Sequence, residues 1–577
     1  MKSCGMHLAL VACLFCAGVA NGLSLDREAF SITKYDLSAQ VEPDQHRLGV
    51  RGKITLRNDT AIAQKIAVLQ ISSSLDWRSI RAGDKALQYV TQVLTSDIDH
   101  TGALSEAIVT LPQAVEPHAT IELEIGYEGV IVRDATRLTR IGTPDEAAAN
   151  TDWDRIDASF TGLRGIGQVA WYPITTEVAN LSEGDSLFEA VERWKNREAG
   201  ATIHLNIKVS FLGDPEPRIL VGGLECAPAM LERVGLPGLL AAECNPQALR
   251  PDAPTLVIAP YRMTERPASQ VYFLPHHDAA ASSFAKAAEE AAPLITDWFG
   301  PPRERAKFAD MPDPDAAPFE SGALLLTPLS NRVSSQAGLA AVHQLTHASF
   351  LSFRPWIEEG LAHFAQALYL EQQKGRQAAL DYMGAHRSAL DEAEPATATP
   401  RSQDEANRSL INTKNEELYR SKAMYVWWML RDMVGDAALK KAIAAYRPEQ
   451  DKEPSYMQRL ISTQTQRDLE WFFDDWVYRD RGLPDFKVES AFARKTLGNS
   501  FMLTVTVDNL GTAGAEVPIT IKFAGGEITK RLEVRAKDKA TTRIETPGVP
   551  QEIRINDGSV PESDRTNNVF KVAAPAS

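Results

Sequence analysis

Cysteine is scarce in this chain, with five in 577 residues. Cys4, Cys13 and Cys16 fall in the N-terminal segment, which leaves Cys226 and Cys244 for everything after it. No pair among these is spaced Cys-x-x-Cys in the mature region, which argues against a thiolate zinc site. An even pair in an exported chain reads as one disulfide, Cys226–Cys244, with two free buried thiols as the alternative. Basic charge is also in deficit. Lys and Arg number 61 against 76 Asp and Glu, a net charge of −15. Without a concentrated basic surface, nucleic acid is excluded as a partner. Long apolar runs are missing too. Beyond the N-terminus no stretch approaches the ~20 residues of a spanning helix, so no transmembrane segment is expected there. Internal repeats and low-complexity tracts are absent.

The N-terminus itself reads as a targeting segment. Lys2 supplies a positive start, residues 7–19 are largely apolar, and small residues at 18–22 offer a cleavage site. Residues 1–22 are therefore expected to be a signal peptide, and the chain to be exported to a periplasm or beyond the cell. L-V-A-C at 10–13 leaves a second reading, a lipid anchor on Cys13. A hydrophobic fraction of 44% and a charged fraction of 24% fit a soluble globular protein. The length calls for about three to four domains.

Alternation of apolar and polar residues at 35–41, 52–58, 121–127 and 201–209 predicts strands. Residues 23–260 are expected to form an antiparallel β domain, or two small β modules in tandem. Residues 134–157 are polar, Ala-rich and without period, so a surface insertion is expected there. From 276 the period turns helical. Phe284, Ala287, Ala288, Ala291, Leu294, Ile295 and Trp298 make one stripe, with Pro293 expected to kink that helix or start it. A strand at 322–327 follows, then helices around His343 and at 357–372, 375–393, 416–434 and 468–479. Thr465 and Asp468 offer a cap to the last. Gly482 and Pro484 close this helical region, 261–484. Residues 485–577 alternate again, cleanly at 501–507 and 517–523, and predict an Ig-like β-sandwich. The expected fold class is multidomain α+β.

Residues 343–347 read H-Q-L-T-H. His343 and His347 stand four apart, so both rings project from one helix face as a pair of zinc ligands. Glu359 follows on a helix opened by Pro355 and is expected to be the third ligand. Glu358, one residue round, should point elsewhere. His363 shares a face with Glu359, as an outer partner of the metal site or as a hydrogen-bonded core histidine.

These residues carry a resemblance. H-Q-L-T-H matches the gluzincin H-E-x-x-H in all but its second residue. W-I-E-E-G-L-A at 356–362 resembles the third-ligand helix of the membrane alanyl aminopeptidase family. A-P-F-E-S at 317–321 resembles that family's G-x-M-E-N segment. Y-R-S-K-A at 419–423 resembles its Y-x-K-G, with Tyr and Lys one residue further apart. D-L-E-W-F-F-D-D-W-V-Y at 468–478 resembles the segment closing its catalytic domain, and A-W-Y-P at 170–173 fits its saddle-like first domain. The likeness covers roughly residues 30 to 484. The final domain resembles a CARDB-type adhesion sandwich. The resemblance implies a thermolysin-like zinc peptidase domain acting on peptides. In it Glu320 binds the substrate's amino terminus and Tyr419 stabilises the oxyanion. It also implies that Gln344 stands where the general base belongs. Gln can hydrogen-bond a water but cannot take its proton. The expectation is a zinc aminopeptidase that hydrolyses peptide bonds near substrate N-termini, its hydrolytic step slow unless Glu358 or Glu320 serves as base in place of Gln344. The alternatives are a peptide-binding pseudo-peptidase and an exported adhesion scaffold.

Overall fold

The computed structural model describes residues 25–183, 186–212, 216–232, 238–249, 253–331, 334–394, 409–413, 415–479, 481–496, 498, 500 to 573. The expected signal peptide, Cys4, Cys13, Cys16 and the lipid-anchor reading lie outside the described residues. Among the described residues no helix is long and apolar enough to cross a membrane.

The alternating segments of the first half do form strands. An eight-stranded sheet runs, in order, Ala227–Glu232, Gly238–Ala248, Thr202–Phe211, Phe30–Glu42, Arg47–Asn58, Thr120–Val130, Leu75–Ala82 and Lys85–Ala86. One expectation needs correcting here. Phe30–Glu42 pairs Thr202–Phe211 in parallel, with Leu37 opposite Leu205. A parallel pair requires a long crossover, and the chain between these strands supplies it. Cys226, just before Ala227–Glu232, is joined by a disulfide to Cys244 in Gly238–Ala248.

The stretch expected to be a surface insertion is also different. It holds two short helices, α1 (Thr136–Arg140) and α2 (Asp145–Thr151), followed by fully buried Asp152, Trp153 and Asp154. Arg137 pairs with Asp152 at 2.7 Å, and Arg164 hydrogen-bonds Asp154 at 2.7 Å. Helices of one or two turns are too short to show a period in sequence. A further helix, α3 (Ser186–Arg197), precedes Thr202–Phe211.

The central region is built on a five-stranded sheet ordered Arg262–Glu265, Ser269–Phe273, Ala306–Asp310, Leu324–Thr327, Phe319–Ser321. Against it lie α4 (Asp278–Phe299) and α5 (Ser334–Ser349), and α6 (Pro355–Lys374) packs on α5. Pro293 sits inside α4, neither starting nor ending it. The predicted helix over 375–393 is two, α7 (Arg376–Ala385) and α8 (Arg387–Ala393). The helix predicted from 416 begins with a π-helical turn, Leu418–Lys422, before α9 (Ala423–Val434). The 468–479 helix is likewise α over Glu470–Phe473 and π over Asp474–Tyr478. The last region is a sandwich. Phe486–Lys495, Phe501–Asn509 and Lys539–Thr546 make one sheet. Gly526–Val534, Ala515–Phe523, Pro550–Ile555 and Val569–Lys571 make the other. A single hydrophobic cluster runs from α4 through Trp427, Trp428 and Trp476 into Val505, Val517 and Ile553 of this sandwich.

Candidate metal centre

The site is assembled from three pieces of backbone. On α5, Val342, Leu345 and Ala348 are buried and fix the helix's phase. That phase holds His343 and His347 together, with their Nε2 atoms 3.0 Å apart. After the loop 350–354, Pro355 sits in the first turn of α6 with a preset φ. The Glu359 carboxylate then reaches both rings, 3.7 Å from His343 Nε2 and 3.7 Å from His347 Nε2. From the edge strand Phe319–Ser321, Glu320 Oε2 lies 3.0 Å from His343 Nε2. One donor atom from each of Glu320, His343, His347 and Glu359 falls within 4.8 Å of the others.

Glu358 was expected to point elsewhere, and it does, with a use. Its Oε1 lies 3.2 Å from His347 Nδ1, and its other oxygen accepts the Ser352 N–H. A carboxylate on the far ring nitrogen fixes a ligand histidine's tautomer and orientation. Burial pushes the Glu358 carboxyl up, against the His347 contact. For His347, burial opposes the charged form. The Glu358 hydrogen bond and the charges of Glu359, Glu358 and Glu320 outweigh it and raise the ring to about 9. Burial would raise Glu320, but the charge and hydrogen bond of His343 hold it well below the usual carboxylate range.

His363 takes its plainer role. Its ring packs on His343 with centroids 5.1 Å apart, and its Nδ1 is 3.2 Å from the Tyr382 hydroxyl. Burial and the positive charge of His343 push it well below its ordinary value. Gln344 is 0% exposed, and neither its Oε1 nor its Nε2 has a hydrogen-bond partner among the described residues.

Sequence reasoning missed Arg420. Its Nε is 3.3 Å from Glu359 Oε2, and it pairs with Glu416. Burial works against its charge, yet Glu359 and Glu416 raise its pKa. A signal for it existed, the one residue too many between Tyr419 and Lys422. A π-helical turn absorbs one residue in this way, and it occupies Leu418–Lys422. Tyr419 lines the same cleft as Arg420, and burial raises its hydroxyl's pKa, keeping it a neutral donor. The cleft is a cavity of about 340 Å³ that His347, Glu320, Glu358 and Glu359 all line.

Among solved structures the chain resembles one titled as the crystal structure of an M1 zinc metallopeptidase from Deinococcus radiodurans. The match has 17% sequence identity and a TM-score of 0.49, over 80% of this chain and 97% of that one. No family model matches, and no curated protein does. At that identity and score the likeness assigns no activity, and the donors themselves carry the chemistry.

Two imidazoles and two carboxylates converging on one point, one imidazole braced by an outer carboxylate, suit zinc. Glu320, His343, His347 and Glu359 could together hold the ion, and Glu320, His347 and Glu359 also line the cleft.

Proposed function

We propose that this chain is an exported zinc metallopeptidase of the aminopeptidase type whose hydrolytic step is slow. The observation that carries the reading is the Glu320–His343–His347–Glu359 cluster at the wall of a cleft. Zinc held there supplies Lewis acidity toward a carbonyl oxygen and toward water. The protein's own groups do the rest. Glu358 keeps His347 in one tautomer. Arg420 offsets the charge of Glu359. Glu320 presents a carboxylate to the cleft and is assigned the substrate's ammonium group. The Tyr419 hydroxyl is assigned to the oxygen on which negative charge develops. Gln344 supplies no base, and losing a general base costs roughly 10²- to 10⁴-fold in rate. The Cys226–Cys244 disulfide supports an oxidising compartment, in keeping with the N-terminal segment.

A second reading, peptide binding without turnover, draws on the buried Gln344 amide alone. Metal analysis tests the ground common to both. Wild-type protein purified without chelator should carry about one zinc per chain, and His347→Ala and Glu359→Gln should each lose most of it. Wild type that holds no zinc and takes up none on titration removes both readings.

A further inference from the structure

The cleft has an apolar side that the metal chemistry does not use. Helix α3 buries Leu187, Ala190 and Trp194 against the N-terminal core. Spacings of three and four make that one face. A second face of the same helix carries Phe188 and Val191, and both line the cleft. Phe188 is 46% exposed, although a phenylalanine on a polar helix gains nothing from water. The loop 350–354 between the two metal-bearing helices contributes Leu351 and Phe353, and Phe353 is 56% exposed. Phe319, next to Glu320 in sequence, adds to this apolar side, while Glu192, Lys195, Arg303 and Glu304 also line the cleft. Two exposed phenylalanines from distant parts of the chain thus meet the same cavity as His347, Glu320 and Glu359. Its volume of about 340 Å³ lies within the range of small-ligand pockets, roughly 300–1,000 Å³.

We infer that this cleft selects ligands with a bulky apolar side chain, aromatic above all, and that Phe188, Val191 and Phe353 form the selecting wall. The inference rests on the reading of the site as a zinc centre for peptide-like ligands, and it names the substrate class of that centre. A residue held at the donors by its amino or carbonyl group leaves its side chain among these apolar groups. Transfer of that side chain from water favours the aromatic ligand. A glycine at the same position gains none of this.

Amino-acid hydroxamates chelate zinc and carry one side chain each, so they isolate the effect. Phenylalanine hydroxamate and glycine hydroxamate are titrated calorimetrically into the zinc-loaded full-length protein. The phenylalanine compound should bind at least tenfold tighter, equivalent to about 1.4 kcal/mol. That ratio should collapse toward one in Phe188→Ala and shrink in Phe353→Ala. It should stay at the wild-type value in Phe492→Ala, whose side chain is 69% exposed on the sandwich. Truncating exposed side chains leaves folding intact, and zinc content is read on each sample. Equal binding of the two hydroxamates overturns the apolar wall while leaving the zinc centre standing. A preference that persists in both cleft variants overturns the assignment to these residues. Failure to take up zinc at all overturns the inference together with the reading beneath it.

Discussion

Glu358 and Glu359 are adjacent in sequence, yet they serve the cluster from different sides. Glu359 faces both Nε2 atoms, while Glu358 holds the Nδ1 of His347. The convergence of His343, His347 and Glu359 was legible in the sequence because they follow helical spacing and a known motif order. The bracing role of Glu358 was not legible. It depends on the phase at which Pro355 opens α6 and on the reach of the loop's Ser352 N–H. Arg420 was hidden for a similar reason, since a π-helical turn rotates the residues after Tyr419 off the α-helical register. Glu320 invites a direct trial. It lies closer to His343 than Glu359 does, 3.0 against 3.7 Å, yet its proposed role is with substrate. Glu320→Gln should therefore retain about one zinc per chain and weaken binding of ligands with a free amine by roughly tenfold, as loss of a charge-assisted hydrogen bond does. If the variant comes off the column free of metal, Glu320 is a ligand instead.

Helix α6 meets α9 so closely that its glycine has no spare room. A Cβ on Gly360 would lie 2.7 Å from Ala423 Cβ and 2.9 Å from Trp427 Nε1. Trp427 in turn stacks on Trp356 at 5.3 Å and donates to the Trp356 carbonyl at 3.2 Å. Gly360→Ala should cost about 1–3 kcal/mol by overpacking. It should also weaken zinc binding, because the neighbouring Glu359 moves with the helix. Thermal melts and zinc titration of the variant check both, and a wild-type melt would remove the close approach as a constraint. Helix α3 has its own anchor in Glu198, which follows it. Its Oε1 accepts the Ile32 N–H at 2.8 Å, and the Tyr35 hydroxyl donates to its Oε2 at 3.2 Å. Burial is the main cause that raises its pKa from 4.5 to about 8, against the hydrogen bonds and Arg197. Folded protein then holds a proton that unfolded protein has released between those values. That contribution is full below pH 4.5 and is lost as pH rises through about 8. Stability should fall across this window, by at most about 1.4 kcal/mol per pH unit from this group. In Glu198→Gln the decline should be shallower by that amount. Parallel pH profiles of the two proteins would contradict the assignment.

At the scale of the molecule, the alternation of period 2 and then 3.6 and then 2 announced β, helical and β regions in that order. It did not announce how they join. Residues on both sides of position 260, including Trp153, Leu220, Tyr261, Tyr272 and Leu326, pack into one cluster. The final sandwich shares the core of the helices. Such contacts form between residues hundreds of positions apart, where local pattern carries no information. Trp476 shows the consequence. It is fully buried, and its Nε1 donates to the Gly514 carbonyl at 2.7 Å across the joint. Asp432 also bridges it, accepting from Arg376 at 2.8 Å and from Arg531 at 3.0 Å. Trp476→Ala should cost about 3–5 kcal/mol. Scanning calorimetry should show the helical region and the sandwich melting together in wild type. Two separate transitions in wild type would mean that the shared core does not couple them.

The central claim separates metal binding from proton transfer. On the proposed reading the Glu320–His343–His347–Glu359 cluster holds zinc, and Gln344 stands where a base would act but cannot take a proton. Zinc content and hydrolysis of an aminoacyl amide, measured side by side on wild type and Gln344→Glu, address both halves at once. Both proteins should carry about one zinc per chain, and the variant should turn over roughly 10²- to 10⁴-fold faster. Equal zinc with no gain in rate would contradict the account, as would a variant that gains rate only by gaining metal.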